Sequence, residues 1–370
     1  MTDPTPRARR RAQFHPLEVA SVERLTDDAV AVTFDVPPEL EDEFAFEAGQ
    51  HLTVRATIGG EDVRQSYSIC QSRNAVGQRL RRRVAVARVP EGRMSTWFNG
   101  HVAAGDVVDV MTPLGSFTCA TEPSGIRHHV GVAAGSGITP VLALLTTALE
   151  EEPGSRATLL LGNRRTSSIM FLEELEDLKN RFPGRFHLVH VLSREVQDVD
   201  LFHGRLDRDR LERIFATLVP VDRVDEWYLC GPHAMVTGAQ ELLGERGVDT
   251  AHVHHEIFHV DDGTAPARRV VVDETAPPEA TVTVNLDGRT TVIPMPSRDE
   301  TVLAATLRAR PDAPYSCTGG VCGTCRARVV AGEVRMDRNY ALEPEEVAAG
   351  IVLACQSHPV TDEVTLDYDA

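Results

Sequence analysis

One stretch of this chain reads Tyr315-Ser316-Cys317-Thr318-Gly319-Gly320-Val321-Cys322-Gly323-Thr324-Cys325, and a further cysteine follows at Cys355. The first three cysteines are spaced C-x4-C-x2-C and the fourth lies further along the chain, an arrangement that binds a [2Fe–2S] cluster through four thiolates. The glycines between them let backbone N–H groups approach the sulfur atoms closely. We therefore predict that Cys317, Cys322, Cys325 and Cys355 are the ligands of a [2Fe–2S] cluster.

Two other uses of these cysteines are a zinc site and disulfide bonds. A structural zinc site prefers two matched C-x2-C pairs, and disulfides are rare in a reducing compartment. The chain has seven cysteines, so an odd remainder of three is left, namely Cys70, Cys119 and Cys230. This remainder favours reduced thiols and a cytoplasmic location.

The composition bounds the domain count and the kind of partner. A chain of 370 residues with 42% hydrophobic content is expected to form two or three domains. The formal charge of −17 argues against nucleic acid or an anionic membrane as partners, since both attract basic surfaces. The most apolar segment, 130–149, contains Gly135, Gly137 and Pro140, so we expect a buried strand and helix there rather than a membrane span.

The pattern along the chain predicts three domains. After a flexible arm over 1–13, short β-rich runs separated by Gly and Pro turns predict an antiparallel β-barrel over 14–122. Alternating strands and helices over 126–259 predict a doubly wound α/β domain with a parallel sheet. A stretch rich in Asp, Pro and Ala over 260–279 reads as a linker. The cluster motif then falls in a domain over 280–370.

A glycine-containing loop, Gly135-Ser136-Gly137-Ile138-Thr139-Pro140, lies between an apolar strand and an apolar helix. Its glycines allow the backbone to approach a phosphate, and the helix N-terminus attracts the phosphate charge. Pro140 stands where the common dinucleotide fingerprint has its third glycine. Together with Cys230-Gly231-Pro232 at the end of a later strand, the loop resembles the nicotinamide domain of the ferredoxin-NADP reductase superfamily. The resemblance covers nearly the whole chain and implies a flavin β-barrel, a nicotinamide domain and a β-grasp (α+β) plant-type ferredoxin domain.

The same resemblance assigns flavin-binding residues within Arg64-Gln65-Ser66-Tyr67-Ser68. It implies that Tyr67 stacks on the flavin ring and that Ser68 hydrogen-bonds near the flavin N5. The pyrophosphate-binding groups would come from Gly92, Met94 and Ser95. An ordinary strand tyrosine is the alternative for Tyr67. The order of domains and the resemblance favour FAD over FMN.

The family's pyrophosphate-binding arginine, two places before the tyrosine, is replaced by Gln65 in this chain. Arg64 is one position further away and alternates to the opposite face of the strand. It could replace the lost contact only through a bulge or a bent backbone.

Arg164 and Arg165 follow the second strand of the nucleotide domain, where a carboxylate would accept the ribose hydroxyls of NADH. The segment 161–166 contains no carboxylate. The two arginines could bind a 2′-phosphate through charge-assisted hydrogen bonds, so we expect NADPH as the donor, with NADH possible. The alternative is a pair of solvated arginines on a loop.

His255-Glu256-Ile257-Phe258 ends the last strand of this domain. Related reductases often keep a glutamate and an aromatic residue near the flavin at this point, so Glu256 is a candidate proton relay and Phe258 a candidate flavin contact. An exposed strand end is the alternative. We expect Cys230 to lie beside the nicotinamide ring rather than to act as a nucleophile, because His233 is the one nearby residue in the sequence that could activate it.

These assignments predict an enzyme that passes electrons from NADPH to FAD, then to the [2Fe–2S] cluster, and finally to a partner protein. The resemblance implies a di-iron oxygenase as that partner. The alternatives are the reductase of a Rieske-type oxygenase that uses NADH, and a redox-sensing module without turnover. The intact nucleotide motifs argue against the sensing module.

Overall fold

The structure of the protein is a computed structural model that describes residues 12–75, 80–259, 272, 273 and 275–370. These residues form two compact units. One comprises 15–63 with 67–259, and the other comprises 12–14, 64–66 and the described residues from 272 onward. The predicted arm over 1–13 and linker over 260–279 lie outside the described residues, except for 12, 13, 272, 273 and 275–279.

The N-terminal part folds as a six-stranded antiparallel sheet in the order β4-β3-β6-β1-β2-β5. Its elements are β1 (Phe14–Thr26), β2 (Ala29–Asp35), β3 (His51–Ile58), β4 (Glu61–Ser68), β5 (Arg81–Ala87), helix α1 (Arg93–Gly100) and β6 (Val107–Met111). An antiparallel bridge between Ile69, directly after β4, and Val84 on β5 joins the two edges of the sheet. Joining the edges closes the sheet, so the predicted antiparallel barrel is confirmed.

A five-stranded parallel sheet follows, in the order β11-β10-β7-β8-β9. Its elements are β7 (His128–Ala134), α2 (Ile138–Glu151), β8 (Arg156–Asn163), α3 (Leu172–Arg181), β9 (Phe186–Leu192), α4 (Arg208–Thr217), β10 (Glu226–Pro232), α5 (His233–Glu245) and β11 (Val253–His259). The alternation of strands and helices gives the doubly wound fold that the sequence predicts. Strand order reverses between β7 and β10, and ligands bind at the carboxyl ends of such a pair.

Ion pairs join the barrel to the helices of the parallel sheet within this unit. The guanidinium of Arg83 on β5 donates two hydrogen bonds, of 2.9 and 2.8 Å, to the carboxylate of Glu174 on α3. Arg73 contacts Glu47 of the barrel segment and Glu151 at the end of α2. These contacts fix the barrel against the nucleotide domain.

Helix α2 is anchored at its C-terminal end by Glu152, whose side chain is fully buried. Its carboxylate accepts hydrogen bonds from Ser155 Oγ (2.6 Å), from the Glu122 backbone N–H (3.0 Å) and from Arg127, and it contacts His129 Nε2 on β7 at 2.9 Å. Burial alone would raise the pKa of Glu152, but these hydrogen bonds outweigh burial and lower the pKa to about 2. A charged group is therefore stabilised at the end of the helix that begins at the predicted phosphate loop.

The C-terminal part is a mixed five-stranded sheet in the order β13-β12-β18-β14-β16, with a separate pair β15-β17. Its elements are β12 (Ala280–Leu286), β13 (Arg289–Met295), α6 (Val302–Ala309), β14 (Arg326–Ala331), β15 (Val334–Met336), α7 (Pro344–Ala348), β16 (Ile351–Leu353), β17 (Ser357–Pro359) and β18 (Glu363–Asp367). Leu303 and Ala305 of α6 pack into the same core as Val282 and Val284 of β12. The predicted α+β ferredoxin fold is confirmed.

Within the described part of the chain, no helix is long and apolar enough to cross a membrane.

We predict that Glu152→Gln lowers the free energy of unfolding by about 3 kcal/mol at pH 7, because it breaks a buried charge network. The folded pKa of Glu152 is about 2 against an ordinary 4.5, so its stabilisation is present above pH 4.5 and is lost as the pH falls through 2. Urea unfolding of the unaltered protein and of Glu152→Gln should show a smaller difference in the free energy of unfolding at pH 3 than at pH 7.

Glu245→Gln serves as the control, since Glu245 pairs with Arg208 at an exposed position. It should change the free energy of unfolding by less than about 0.5 kcal/mol. Equal losses for the two variants would contradict the role assigned to Glu152.

Candidate functional site

The cluster cysteines are carried by an irregular loop and by a short turn. Cys317, Cys322 and Cys325 lie on the loop that leads into β14, and Cys355 lies between β16 and β17. Thr318, Gly320 and Gly323 have φ values of 52°, 80° and 65°. Such left-handed positions wrap the loop tightly, and the Gly319 N–H reaches 3.4 Å from Cys317 Sγ.

The four thiols are arranged as two pairs. The neighbouring Cys322 thiol lowers the pKa of Cys317 to about 7, and the neighbouring Cys325 thiol lowers the pKa of Cys355. Among the described residues, no three His, Cys, Asp or Glu side chains surround a single metal position. A zinc ion needs four donors around one ion, whereas a [2Fe–2S] cluster takes two thiolates at each iron. The four-cysteine donor set therefore fits a [2Fe–2S] cluster, which takes four thiolates.

Tyr67 lies near the end of β4 with its ring edge-on to Phe98 of α1, at 5.6 Å between ring centroids. Burial raises the pKa of its hydroxyl. This hydroxyl is inaccessible to solvent and has no hydrogen-bond partner among the described residues. A buried hydroxyl without a hydrogen-bond partner destabilises the fold. A ligand such as FAD that offers a hydrogen-bonding group to Tyr67 would therefore fit this site.

The turn before α1 holds the other predicted flavin residues. A Cβ on Gly92 would lie 2.6 Å from Ser95 Oγ and 3.1 Å from the Val89 carbonyl oxygen, so a larger residue there would displace the Ser95 hydroxyl from the turn. Ser95 Oγ accepts from the Val89 N–H and donates to the Gly92 carbonyl, both at 3.1 Å. Its hydroxyl therefore shapes the turn, and Met94 is buried beside it. Because the Ser95 hydroxyl is used within the turn, the feature of this segment that would attract a pyrophosphate is the N-terminus of α1.

Arg64 and Gln65 are neighbours on β4. The guanidinium of Arg64 lies over the ring of Tyr315, 4.0 Å from its centroid, and both residues belong to the smaller compact unit. Gln65 is partly buried. The assignment of either residue to the flavin pyrophosphate remains a prediction.

The two nucleotide motifs are in direct contact. A Cβ on Gly137 would lie 2.2 Å from the Cys230 carbonyl oxygen, which no side chain could tolerate. Thr139 Oγ1 donates to the Ser136 carbonyl at 2.9 Å, and Pro140 is buried in the first turn of α2. Gly231 packs against the Ala134 N–H, and Pro232 precedes α5. The loop after β7 and the end of β10 thus form one surface at the switch point of the sheet.

The three predicted catalytic residues come together from separate elements. Ser68 Oγ on β4 donates to Glu256 Oε2 on β11 at 3.2 Å. Cys230 on β10 pairs in register with Glu256, and burial followed by this carboxylate raises the pKa of its thiol well above the usual range. A thiol that stays protonated is a poor nucleophile, so Cys230 is suited to contacting the nicotinamide ring rather than to attacking a substrate. Phe258 packs on the core cluster that contains Cys230.

Arg164 and Arg165 are both exposed at the carboxyl end of β8. A further residue at this loop, Glu195, follows the adjacent strand β9 and does not figure among the predictions from sequence. Its carboxylate accepts from the Thr166 N–H at 2.8 Å and from Thr166 Oγ1 at 2.7 Å. A carboxylate thus lies at this loop although 161–166 contains none. No local pattern marks Glu195, because the contact arises from the parallel pairing of β8 and β9.

Three family models match the chain. An oxidoreductase FAD-binding domain matches residues 16–119, an oxidoreductase NAD-binding domain matches 132–241, and a 2Fe-2S iron-sulfur cluster binding domain matches 284–360. Each range contains site residues described above for the corresponding cofactor.

Full-length relatives share this arrangement. The chain is 42% identical to a 1,2-phenylacetyl-CoA epoxidase component from Escherichia coli K12, covering 96% of this chain and 98% of that protein. It is 35% identical to the ferredoxin reductase component of 3-ketosteroid-9-alpha-monooxygenase from Rhodococcus rhodochrous, covering 95% and 96%. The solved structure of phthalate dioxygenase reductase shares the fold, with a TM-score of 0.55 and 23% identity over 96% of this chain and 98% of that one.

Domain models for all three parts and relatives above 30% identity along the whole length lead to one conclusion. The chain belongs to the ferredoxin-NADP reductase superfamily, among the members with a C-terminal [2Fe–2S] domain that transfer electrons from NAD(P)H through FAD to the cluster.

Proposed function

We propose that this chain is the NADPH-dependent reductase component of a di-iron oxygenase that epoxidises the aromatic ring of phenylacetyl-CoA. The observation that carries the proposal is the 42% identity to the phenylacetyl-CoA epoxidase component over 96% of this chain. The relative from the steroid monooxygenase covers nearly the same span at 35%. None of the seven cysteines forms a disulfide bond, which is consistent with work in the reducing cytoplasm.

A second candidate is the reductase of a Rieske-type steroid hydroxylase, favoured by that 35% relative. Both candidates use the same electron route inside this chain, so they differ in the final acceptor and in the nucleotide.

When bound, FAD accepts the two electrons of a hydride and the [2Fe–2S] cluster carries electrons singly. The protein would supply orientation and a proton path. Ser68, held by Glu256, would hydrogen-bond to the flavin, and Glu256 would pass a proton through the Ser68 hydroxyl to the flavin after the hydride has reduced it. The neutral, buried Cys230 would form the wall against which the nicotinamide lies.

Selectivity for NADPH would come from the exposed guanidinium groups of Arg164 and Arg165. Neither group has a hydrogen-bond or ion-pair partner in the described part of the chain, so both can turn to a 2′-phosphate. The negative charge of Glu195 disfavours a 2′-phosphate nearby, but its carboxylate oxygens already accept hydrogen bonds from Thr166.

Reconstitution tests the partner. The holoprotein with NADPH, phenylacetyl-CoA and the oxygenase components of the epoxidase should form epoxide, whereas a Rieske-type steroid hydroxylase should receive electrons at least about tenfold more slowly. The control is Cys322→Ser, which should keep flavin reduction and lose product formation because the cluster is missing a ligand. Faster turnover with the steroid hydroxylase would favour the second candidate, and no oxidation of either NADPH or NADH with any acceptor would overturn both.

Removing both arginines tests the nucleotide. Arg164→Gln with Arg165→Gln should raise KM for NADPH at least about 100-fold, since each of the two charge-assisted hydrogen bonds contributes about 1.5–3 kcal/mol. KM for NADH should stay within about twofold. Arg246→Gln, at an exposed position after α5, is the control. Equal effects on both nucleotides would contradict the assignment.

Stopped-flow flavin reduction tests the Ser68–Glu256 pair. Glu256→Gln should slow reduction by about 100-fold through loss of proton transfer, and Ser68→Ala by about tenfold through loss of one hydrogen bond. KM for NADPH should change little, because neither residue would hold the nucleotide phosphates. Glu241→Gln, on the exposed face of α5, should behave as the unaltered protein. Unaltered rates in both variants would remove the pair from the mechanism.

A further inference from the structure

Gln356 directly follows the fourth cysteine, in the turn between β16 and β17, and its side chain is buried with 4% of the residue exposed. A buried amide requires partners for its donors. Its Nε2 donates to the Thr318 carbonyl oxygen at 2.8 Å and lies 3.1 Å from the Cys355 carbonyl oxygen. The same nitrogen lies 3.8 Å from Cys355 Sγ.

The contact with Thr318 joins the two parts of the cluster-binding segment. Thr318 follows the first cysteine, and it lies 38 positions before Gln356. Its φ of 52° is unusual for a β-branched residue and must be held by its surroundings. The Gln356 amide supplies one such support.

The loop also packs on the stem of the same side chain. A Cβ on Gly320 would lie 3.2 Å from Gln356 Cγ, so the loop backbone rests directly on it. The Gln356 carbonyl oxygen accepts the Asp337 N–H at 2.9 Å, which ties the turn to the residue after β15. Gln356 therefore sets how far the three-cysteine loop stands from Cys355.

A hydrogen-bond donor near a cysteine sulfur also affects the electron affinity of the cluster that the sulfur binds. Reduction adds negative charge that is shared by the cysteine sulfurs, and an N–H directed at a sulfur stabilises that charge. One N–H of the Gln356 amide donates to the Thr318 carbonyl oxygen, and the other is shared between the Cys355 carbonyl oxygen at 3.1 Å and Cys355 Sγ at 3.8 Å. Among the described residues, this shared N–H is the side-chain donor within reach of Cys355 Sγ from outside the thiol set.

We propose that Gln356 is a positioning residue that holds the 317–325 loop against the fourth cysteine and raises the reduction potential of the [2Fe–2S] cluster through its amide N–H. The proposal rests on the cluster-binding assignment and not on the identity of the oxygenase.

The test compares three variants of the full-length holoprotein. Gln356→Leu removes the donor, Gln356→Glu keeps the shape and exchanges the donor for a carboxylate, and Ser357→Ala is the matched control. Ser357 Oγ donates a buried hydrogen bond to the Leu353 carbonyl oxygen at 2.8 Å, so it supports the same turn without bonding to the loop. Iron content is measured first, followed by a redox titration monitored by the EPR signal of the reduced cluster.

Gln356→Leu should lower the ratio of reduced to oxidised cluster at fixed potential about tenfold, which equals about 59 mV for a one-electron couple. Gln356→Glu should lower it further, with recovery at low pH as the new carboxyl group becomes protonated. Ser357→Ala should match the unaltered protein.

Full iron content with an unchanged potential in both Gln356 variants would overturn the proposal. If Gln356→Leu binds no iron, the shape-conserving Gln356→Glu decides by the same criterion. Loss of iron from both variants, with Ser357→Ala intact, would support the positioning role. Equal loss from all three variants would overturn it, because the effect would then belong to the turn as a whole.

Discussion

The close packing of Gly137 on the Cys230–Gly231 backbone is the contact on which the nucleotide site depends. A Cβ at Gly137 would lie 2.2 Å from the Cys230 carbonyl oxygen. Because protein interiors are packed too densely to yield that space, the position admits glycine alone. The contact places the phosphate loop and the Cys230 thiol on one surface, and Glu152 holds α2 from its other end.

Two glutamates in this unit have different surroundings, and only one of them is predicted to take part in catalysis. Glu152 is fully buried and saturated with hydrogen bonds, so its charge stabilises the fold. Glu256 instead meets a hydroxyl from a different domain, Ser68 of the barrel, at the mouth of the nucleotide site. The ion pairs of Arg73 and Arg83 keep the barrel and the parallel sheet in the orientation that allows this contact.

The ferredoxin unit shows the same dependence on a tight backbone. Left-handed residues bend the 317–325 loop so that two of its thiols pair with each other and the third pairs with Cys355. Two pairs of thiolates suit two irons, which a single zinc ion would not require. The buried amide of Gln356 holds this arrangement from the side of the fourth cysteine.

The sequence by itself determined the fold class, namely an antiparallel barrel, a parallel α/β sheet and an α+β ferredoxin sheet, and it predicted the cysteine set and the glycine loops, because spacing and periodicity are local properties of the chain. It also indicated Ser68, Cys230 and Glu256, but only through resemblance. The tertiary structure alone decided which distant groups meet: Ser68 with Glu256 across 188 positions, Glu195 with Thr166 across 29, and Gln356 with Thr318 across 38. The physical reason is that strand order brings the ends of neighbouring strands together, and no local pattern records which strands become neighbours.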